Sequence, residues 1–473
     1  MPAKGNAKLL WTFAITTVAL FMVTLDNLVV TTALPVIRRD LGASLSDLEW
    51  TVNAYTLTFA VFLLTGAALG DRFGRRRLFS IGLGIFTAGS IGAALAPTAQ
   101  YLVAFRAMQG LGGAIVMPLT LTILSAAVPA HRRGAALGAW GGISGLAVAL
   151  GPLVGGAVVQ GIAWQWIFWL NVPIGLLVLP LALRRLEESR GPDRSLDVPG
   201  LVLASAGLFG LVWGLVNGNS HGWGSLGIVS ALTVGSLLLV GFVAWELRAR
   251  EPMLPMQFFR QRTFAAANGA SFFMFFGMFG SIFLLAQFFQ TAQGYSPLHA
   301  GLLVLPWTAA PMIVAPIAGA LSDRIGGRPL LATGLALQAA GLAWIAAASS
   351  ATVPYIDLVG PFILSGIGMG LFFAPVANVV LSAVRPEQQG KASGATNAIR
   401  EVGGVFGVAV LASVFAHYGG YASAEQFGNG LVVATWIGAA VVGVGALTAL
   451  AIPRRRRAEV VELQPEFALE EAA

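Results

Sequence analysis

Apolar runs long enough to cross a bilayer, about 20 residues each, return along this chain fourteen times. They cover roughly 9–36, 49–69, 78–97, 101–124, 135–158, 163–183, 199–217, 225–247, 264–290, 299–321, 330–349, 354–380, 392–416 and 428–452. No other feature narrows the fold so far. With 56% hydrophobic and 10% charged residues, the chain has too little polar surface for a water-soluble fold, where about 25% charge is usual. The expected class is an all-α polytopic membrane protein with fourteen spans. The breaks between runs are short, polar and marked by Gly and Pro, as turns between packed helices are. The first run passes 20 residues with no small-residue cleavage site, so it reads as a retained helix rather than a signal peptide. The tail 453–473 is charged and reads as disordered.

Lys and Arg outnumber Asp and Glu, 28 to 21. In a soluble chain that excess would suggest a nucleic-acid partner. Here it follows topology. Arg38 and Arg39 fall on one side of the membrane and Arg106 and Arg400 within spans; the other 24 lie at the termini or in alternate loops. Cytoplasmic loops carry such an excess, so both termini are expected in the cytoplasm. There are no cysteines, which removes disulfides and thiolate metal sites. The four histidines have no ligand spacing, and "GKAS" at 390–393 lacks the frame of a phosphate loop. No metal, cofactor or ATP site is expected, so a driving force would have to be an ion gradient.

The chain also repeats itself. "ALGDRFGRR" at 68–76 returns as "ALSDRIGGR" at 320–328, an offset of 252, and "PAHRRGAALG" returns as "PEQQGKASG" at an offset near 256. Each copy lies eight spans after the first, not six. The simplest division is a six-helix bundle at 1–190, an inserted pair of helices at 191–260 and a second six-helix bundle at 261–452. Parallel repeats of this kind are a transporter architecture, with the substrate path between the halves.

Charges inside spans are costly and mark function. Asp26 sits near the middle of the first span. Arg106 lies early in the fourth, where two readings are open: a cation snorkelling to the surface, or one facing inward that makes a carboxylate release its proton more easily. In the thirteenth span Asn397 and Glu401 share a face, while Arg400 diverges from Glu401 by about 100°. These polar groups either reach the cytoplasmic interface or form a second acidic site. Gly66 and Gly70, four apart, allow close helix contact. With Asp71, Arg72, Gly74, Arg75 and Arg76, and the second copy at Asp323 and Arg324, they read as a conformational latch or as simple topology determinants.

The pattern as a whole resembles the major facilitator superfamily. The loop at 66–77 is similar to its signature between helices 2 and 3. "LVAFRAMQGLGGA" resembles its helix 4 pattern around Arg106. "GAWGGISGLAVALGPLVGG" resembles the helix 5 antiporter pattern at Gly138, Gly151, Pro152, Gly155 and Gly156, with Ala147 in place of a glycine. Pro152 removes a backbone hydrogen bond and is expected to kink that helix. "WQWIFWLNVPIG" and "LDVPG" resemble the fourteen-helix drug:proton antiporter branch, with Gln165 where that branch carries Arg. The resemblance implies a multi-pass plasma-membrane protein, not an enzyme. It implies exchange of protons, through Asp26 and Arg106, for hydrophobic and often cationic compounds; the residues of the thirteenth span add Glu401 as a further candidate for proton coupling, and a monomer is expected. Candidate cavity residues are Asn27, Asn53, Tyr55, Gln109, Asn268, Phe276, Gln287, Trp307, Phe373, Asn378 and Asn397. Most Phe and Met of the ninth span are expected to face lipid or neighbouring helices. An uptake carrier or facilitator on the same fold, and a non-transporting sensor or scaffold, stay open as alternatives.

Overall fold

The computed structural model describes residues 3–190, 196–385 and 388–453; side chains at 1–7, 130–139, 141, 142, 145, 323 and 390 fall outside the description. The disordered tail expected at 453–473 lies outside it too, apart from Pro453. Among the described residues there are fourteen long helices and no strand. They are α1 (Ala3–Leu41), α2 (Leu45–Phe73), α3 (Arg75–Ala94), α4 (Ala99–Ala127), α5 (Ala130–Gly161) and α6 (Trp166–Arg185), followed by α7 (Val198–His221) and α8 (Leu226–Glu246). The series continues with α9 (Arg262–Gln287), α10 (Pro297–Ile325), α11 (Gly327–Ala348), α12 (Tyr355–Ser382), α13 (Gln389–Tyr418) and α14 (Ala424–Leu450). Thirteen are long and apolar enough to cross a membrane, and the described part of α5, Leu146–Gly161, is a shorter apolar helix.

Local chemistry sets the helix ends. Ser44 and Asp47 form a reciprocal capping box at the start of α2. Ser225, Ser296 and Ser423 cap α8, α10 and α14, and Asp197 caps α7, with prolines in the first turns of α7 and α10. The α2–α3 turn needs a left-handed residue, and Gly74 supplies it at φ +110°. Its counterpart 252 residues on, Gly326, turns α10 into α11 at φ +82°. The sequence repeat is thus a repeated backbone device.

Packing repeats in the same way. α4 lies against α2 and α3, and α5 against α1; eight helices later α12 lies against α10 and α11, and α13 against α9. Two further pairs, α5 with α10 and α2 with α13, join the first set of six to the second and exchange under the same offset. α7 and α8 pair with each other, and α7 touches α2 and α13. Among the thirteen spans α9 is the most buried and α8 the least. The phenylalanines of α9 are therefore mostly occupied by neighbours: Phe275 packs on Phe279 and Phe373, and Phe272 on Phe276 and Phe406.

α5 carries a proline well inside its length. The helix runs unbroken through Pro152. A proline is tolerated in a membrane helix where neighbouring helices re-satisfy the freed backbone group, and α5 is held between α1 and α10.

Candidate functional site

The first span folds so that Asp26 turns away from lipid. It is 4% exposed and Arg106, from α4, is wholly buried. Arg106 donates through Nη1 to Asp26 Oδ2 in a buried ion pair. The carboxylate has two more donors: Asn171 Nδ2 reaches Oδ1 at 2.6 Å and Gln109 Nε2 reaches it at 3.1 Å. Arg106 is fixed in turn. Its Nε donates to Thr51 O of α2 at 3.1 Å, its Nη1 also reaches Gln109 Oε1 at 2.9 Å, and its guanidinium lies 4.3 Å from the centre of the Tyr55 ring. Gln109 is anchored to Ser90 Oγ at 2.7 Å, and Tyr55 donates its hydroxyl to Val23 O at 3.0 Å. Residues of α1, α2, α3, α4 and α6 thus form a cage for one carboxylate. Such a site stabilises charge in a medium where an unpaired charge is very costly. Arg106 does not snorkel to the surface.

Of the candidate cavity residues, Gln109 and Tyr55 belong to this cage. Asn53 on α2 is wholly buried and both its amide atoms lack a partner; Asn27 Oδ1 is also buried and unpartnered. Glu401 of α13 has a buried Oε2 with no partner, and α13 packs against α2, the helix that carries Tyr55. Arg400 does not pair with Glu401; its Nη1 reaches Asn397 Oδ1 at 3.4 Å, and its guanidinium stands 5.5 Å from the Phe275 ring. Trp307 is buried, stacked on Phe362, with its ring nitrogen unpartnered. The others are dispersed. Asn268 bonds back to Phe264 O within α9, and Phe276 is buried against α13. Gln287 accepts from Tyr421 at the α1–α2 end of the bundle. Asn378 is exposed and lines a separate cavity of about 860 Å³, with Ser322 and Arg328, at the opposite end.

The glycines of the α2–α3 region serve contacts within one half. A Cβ at Gly66 would lie 2.6 Å from Ala114 O, and one at Gly70 would run into Leu119, so both let α2 close on α4. Asp71 accepts from Arg75 Nε at 2.8 Å, four residues on. Arg72 lies over Phe73, and Arg324 is exposed. Asp323 lies outside the described side chains. No sequence pattern pointed to Glu188, in the segment after α6. It accepts from the backbone nitrogens of Arg76 and Arg77 at 3.0 and 3.3 Å and sits 3.7 Å from Arg76 Nε. It therefore occupies the positive end of α3.

On α5, Gly151 and Gly155 face α1, where a Cβ would meet Leu28 and Val29 O within 2.6 Å. Gly156 faces the other way and would collide with Pro297 O of α10, while a Cβ at Gly301 of α10 would collide with Pro152 O. The small residues of α5 therefore serve two faces, one toward α1 and one across the junction with α10. The surroundings of Gly138 lie outside the described residues.

The cage, the junction helices and the repeated turn can be set beside known proteins. The Major Facilitator Superfamily profile matches residues 16–408 and 267–468. The chain belongs to the major facilitator superfamily. It is 35% identical over 418 residues to the tetracenomycin C resistance and export protein of Streptomyces glaucescens, covering 88% of this chain and 78% of that one. It is 37% identical over 413 residues to the multidrug resistance protein Stp of Mycobacterium tuberculosis (strain CDC 1551 / Oshkosh), covering 87% and 76%. It is also 37% identical over 401 residues to the cephamycin export protein CmcT of Amycolatopsis lactamdurans, covering 83% and 82%. The crystal structure of an auto-inhibited POT family peptide transporter shares the fold, with a TM-score of 0.67 at 16% identity over 94% of this chain and 97% of that one. As a member of this superfamily the protein is a multi-pass plasma-membrane transporter, not an enzyme.

Sequence reasoning reached Asp26 and Arg106 but missed Asn171, Ser90 and Thr51. Asn171 carried the one available signal, an amide inside an otherwise apolar run. Thr51 contributes only its backbone oxygen, which no side-chain pattern announces.

Proposed function

We propose that this transporter exports hydrophobic, often cationic, toxic compounds or antibiotics in exchange for protons, by alternating access. The reading rests above all on the Asp26 cage, a single carboxylate buried in the span with one arginine and two amides as its partners. Buried intramembrane acids of this kind mark proton relays. The names of the relatives, which speak of resistance and export of antibiotics, support the substrate class and the direction.

In this reading the halves are 1–190 and 261–452, with 191–260 inserted between them, both termini cytoplasmic and a monomer as the unit. Asp26 carries the proton. Arg106, Gln109 and Asn171 belong to the same half, so they hold its charged form in place as the halves rock. Tyr55 stands between this cage and Glu401 of the other half. Movement of Glu401 toward or away from the cage changes how readily Asp26 takes a proton, and the unpartnered Glu401 oxygen offers an acceptor to a substrate cation. The α5–α10 junction, where glycine brings backbone against backbone, seals the path against leakage.

Inverted membrane vesicles test this. A lipophilic cationic dye should accumulate when a proton gradient is imposed and escape when an uncoupler is added, and Asp26→Asn should abolish the accumulation. Gradient-driven transport that survives Asp26→Asn in full, or movement of dye in the opposite sense, would sink the assignment.

A further inference from the structure

Another acid is buried in the bundle outside the Asp26 cage. Glu49 lies in the second turn of α2, is 2% exposed, and its Oε2 has no hydrogen-bond partner. It stands at the end that carries the α1–α2 turn, which is the outer face when both termini are cytoplasmic.

Groups from both halves converge there. Arg38, at the end of α1, holds its guanidinium 3.5 Å from the centre of the Tyr421 ring. Tyr421, in the turn between α13 and α14, donates its hydroxyl to Gln287 Oε1 of α9 at 2.5 Å. Burial pushes the Tyr421 phenol well above its ordinary range, with Arg38 and Glu49 as its charged neighbours, so it stays a donor at physiological pH. Close by, Gln290 Nε2 of the second half donates to Thr32 O of α1 at 2.9 Å. This face is closed.

Other charged groups on the elements around Glu49 are engaged elsewhere. Arg39 reaches Asp40 in solvent, Asp47 caps α2, and Arg106 is committed to Asp26. His221 of α7 and His417 of α13 are exposed, and Lys391, Arg400 and Glu401 lie toward the other end of α13. Arg38 and Glu49 belong to the first half; Tyr421 and Gln287 belong to the second.

A buried carboxylate without a partner is costly when charged. Closing the halves over Glu49 therefore goes with proton uptake. Parting them would release Arg38 from Tyr421, admit water to Glu49, and leave two opposite charges on the same half free to face each other. We propose that Glu49 is a second proton-binding carboxylate, on the outer side, whose protonation closes an outer gate made by Arg38, Tyr421 and Gln287. The proposal rests on the proton-coupled reading. The sign follows from linkage: the closed state binds this proton more tightly, so acid outside populates the closed state.

The chain has no cysteine, so spin labels at Asp40→Cys and Glu425→Cys, both exposed, report the outer separation of the halves in reconstituted full-length protein. Lowering the pH from about 8 to about 5, across the range where a perturbed carboxyl titrates, should move the distances from long to short. Glu49→Gln should hold the short distance at both values, and Glu49→Asp should restore the response. Tyr421→Ala should hold the long distance at both, which checks the gate without touching the acid. A parent chain with no pH response, a response intact in Glu49→Gln, or a short distance throughout in Tyr421→Ala overturns the proposal. A response that survives Glu49→Gln and vanishes in Asp26→Asn removes Glu49 alone, while the vesicle assay judges proton coupling separately.

Discussion

Asp26 and Glu401 are both acids set into membrane helices, but one is enclosed and the other is not. Asp26 has an arginine and two amides aimed at it, and each of those partners is itself held: Gln109 by Ser90, Arg106 by Thr51 and Tyr55. Glu401 keeps a buried oxygen without a partner, and its neighbour Arg400 turns to Asn397 instead. Burial alone therefore does not define a role. A carboxylate with its donors in place is fixed even though Arg106 keeps one bare nitrogen, Nη2, whereas a bare acceptor can still gain by binding something.

The largest effect is expected at the cage. Asp26→Asn strands Arg106 as an uncompensated buried charge, and losing one partner of such a pair costs about 3–5 kcal/mol. Thermal unfolding in detergent should show a loss of that size. Arg106→Gln should cost a similar amount, and the double variant should lose clearly less than the two single losses combined. Additive losses would mean that the pair is not a unit, and the contrast between an enclosed acid and a bare one would fail.

Glu401→Gln should behave differently. It breaks no direct ion pair but removes the acid beside the partly buried Arg400, so the stability loss should be smaller than at the cage, about 1–3 kcal/mol, while transport of cationic dyes falls more than that of neutral compounds in the vesicle assay. Equal losses for both substrate classes would assign Glu401 to coupling rather than to recognition. Tyr55→Phe separates the two acids more finely. It removes the hydroxyl bond to Val23 O, worth about 1 kcal/mol, but keeps the ring under Arg106, so the unfolding temperature should fall slightly with the cage intact.

The smallest effect is expected far from both acids. Glu188→Gln weakens a partly exposed charge at the positive end of α3, a change of about 0.3–1 kcal/mol, and dye transport should be unchanged. A large transport defect there would make the α2–α3 turn part of the gating machinery, in spite of its contacts lying within one half.

Much of the fold is legible in the residues themselves. Fourteen apolar runs, the glycine turn at Gly74 and its copy at Gly326, and the eight-helix offset all follow from local chemistry. Hydrocarbon leaves a chain few choices, because every span must satisfy its own backbone. Asp26 and Arg106 are legible for the same reason, since a charge in such a run has to be accounted for. The candidate cavity is less legible. Gln109 and Gln287 look alike in sequence, yet one holds the central carboxylate and the other accepts from Tyr421 at the bundle end.

Glu49 shows the limit most clearly. It begins the second span among other polar residues, where an acid is ordinary, and only the packed bundle makes it a buried one, with Tyr421 from 372 positions away as a neighbour in charge. How many helices there are, where they turn and which charges must be answered for can be read from the chain alone, because those depend on each segment's own exchange with lipid and water. Which amide answers Asp26, which oxygen is left bare at Glu401 and which acid lies beneath Arg38 and Tyr421 emerge only when the helices pack. Those contacts join helices distant in sequence, and helical period specifies a face without naming what will lie against it.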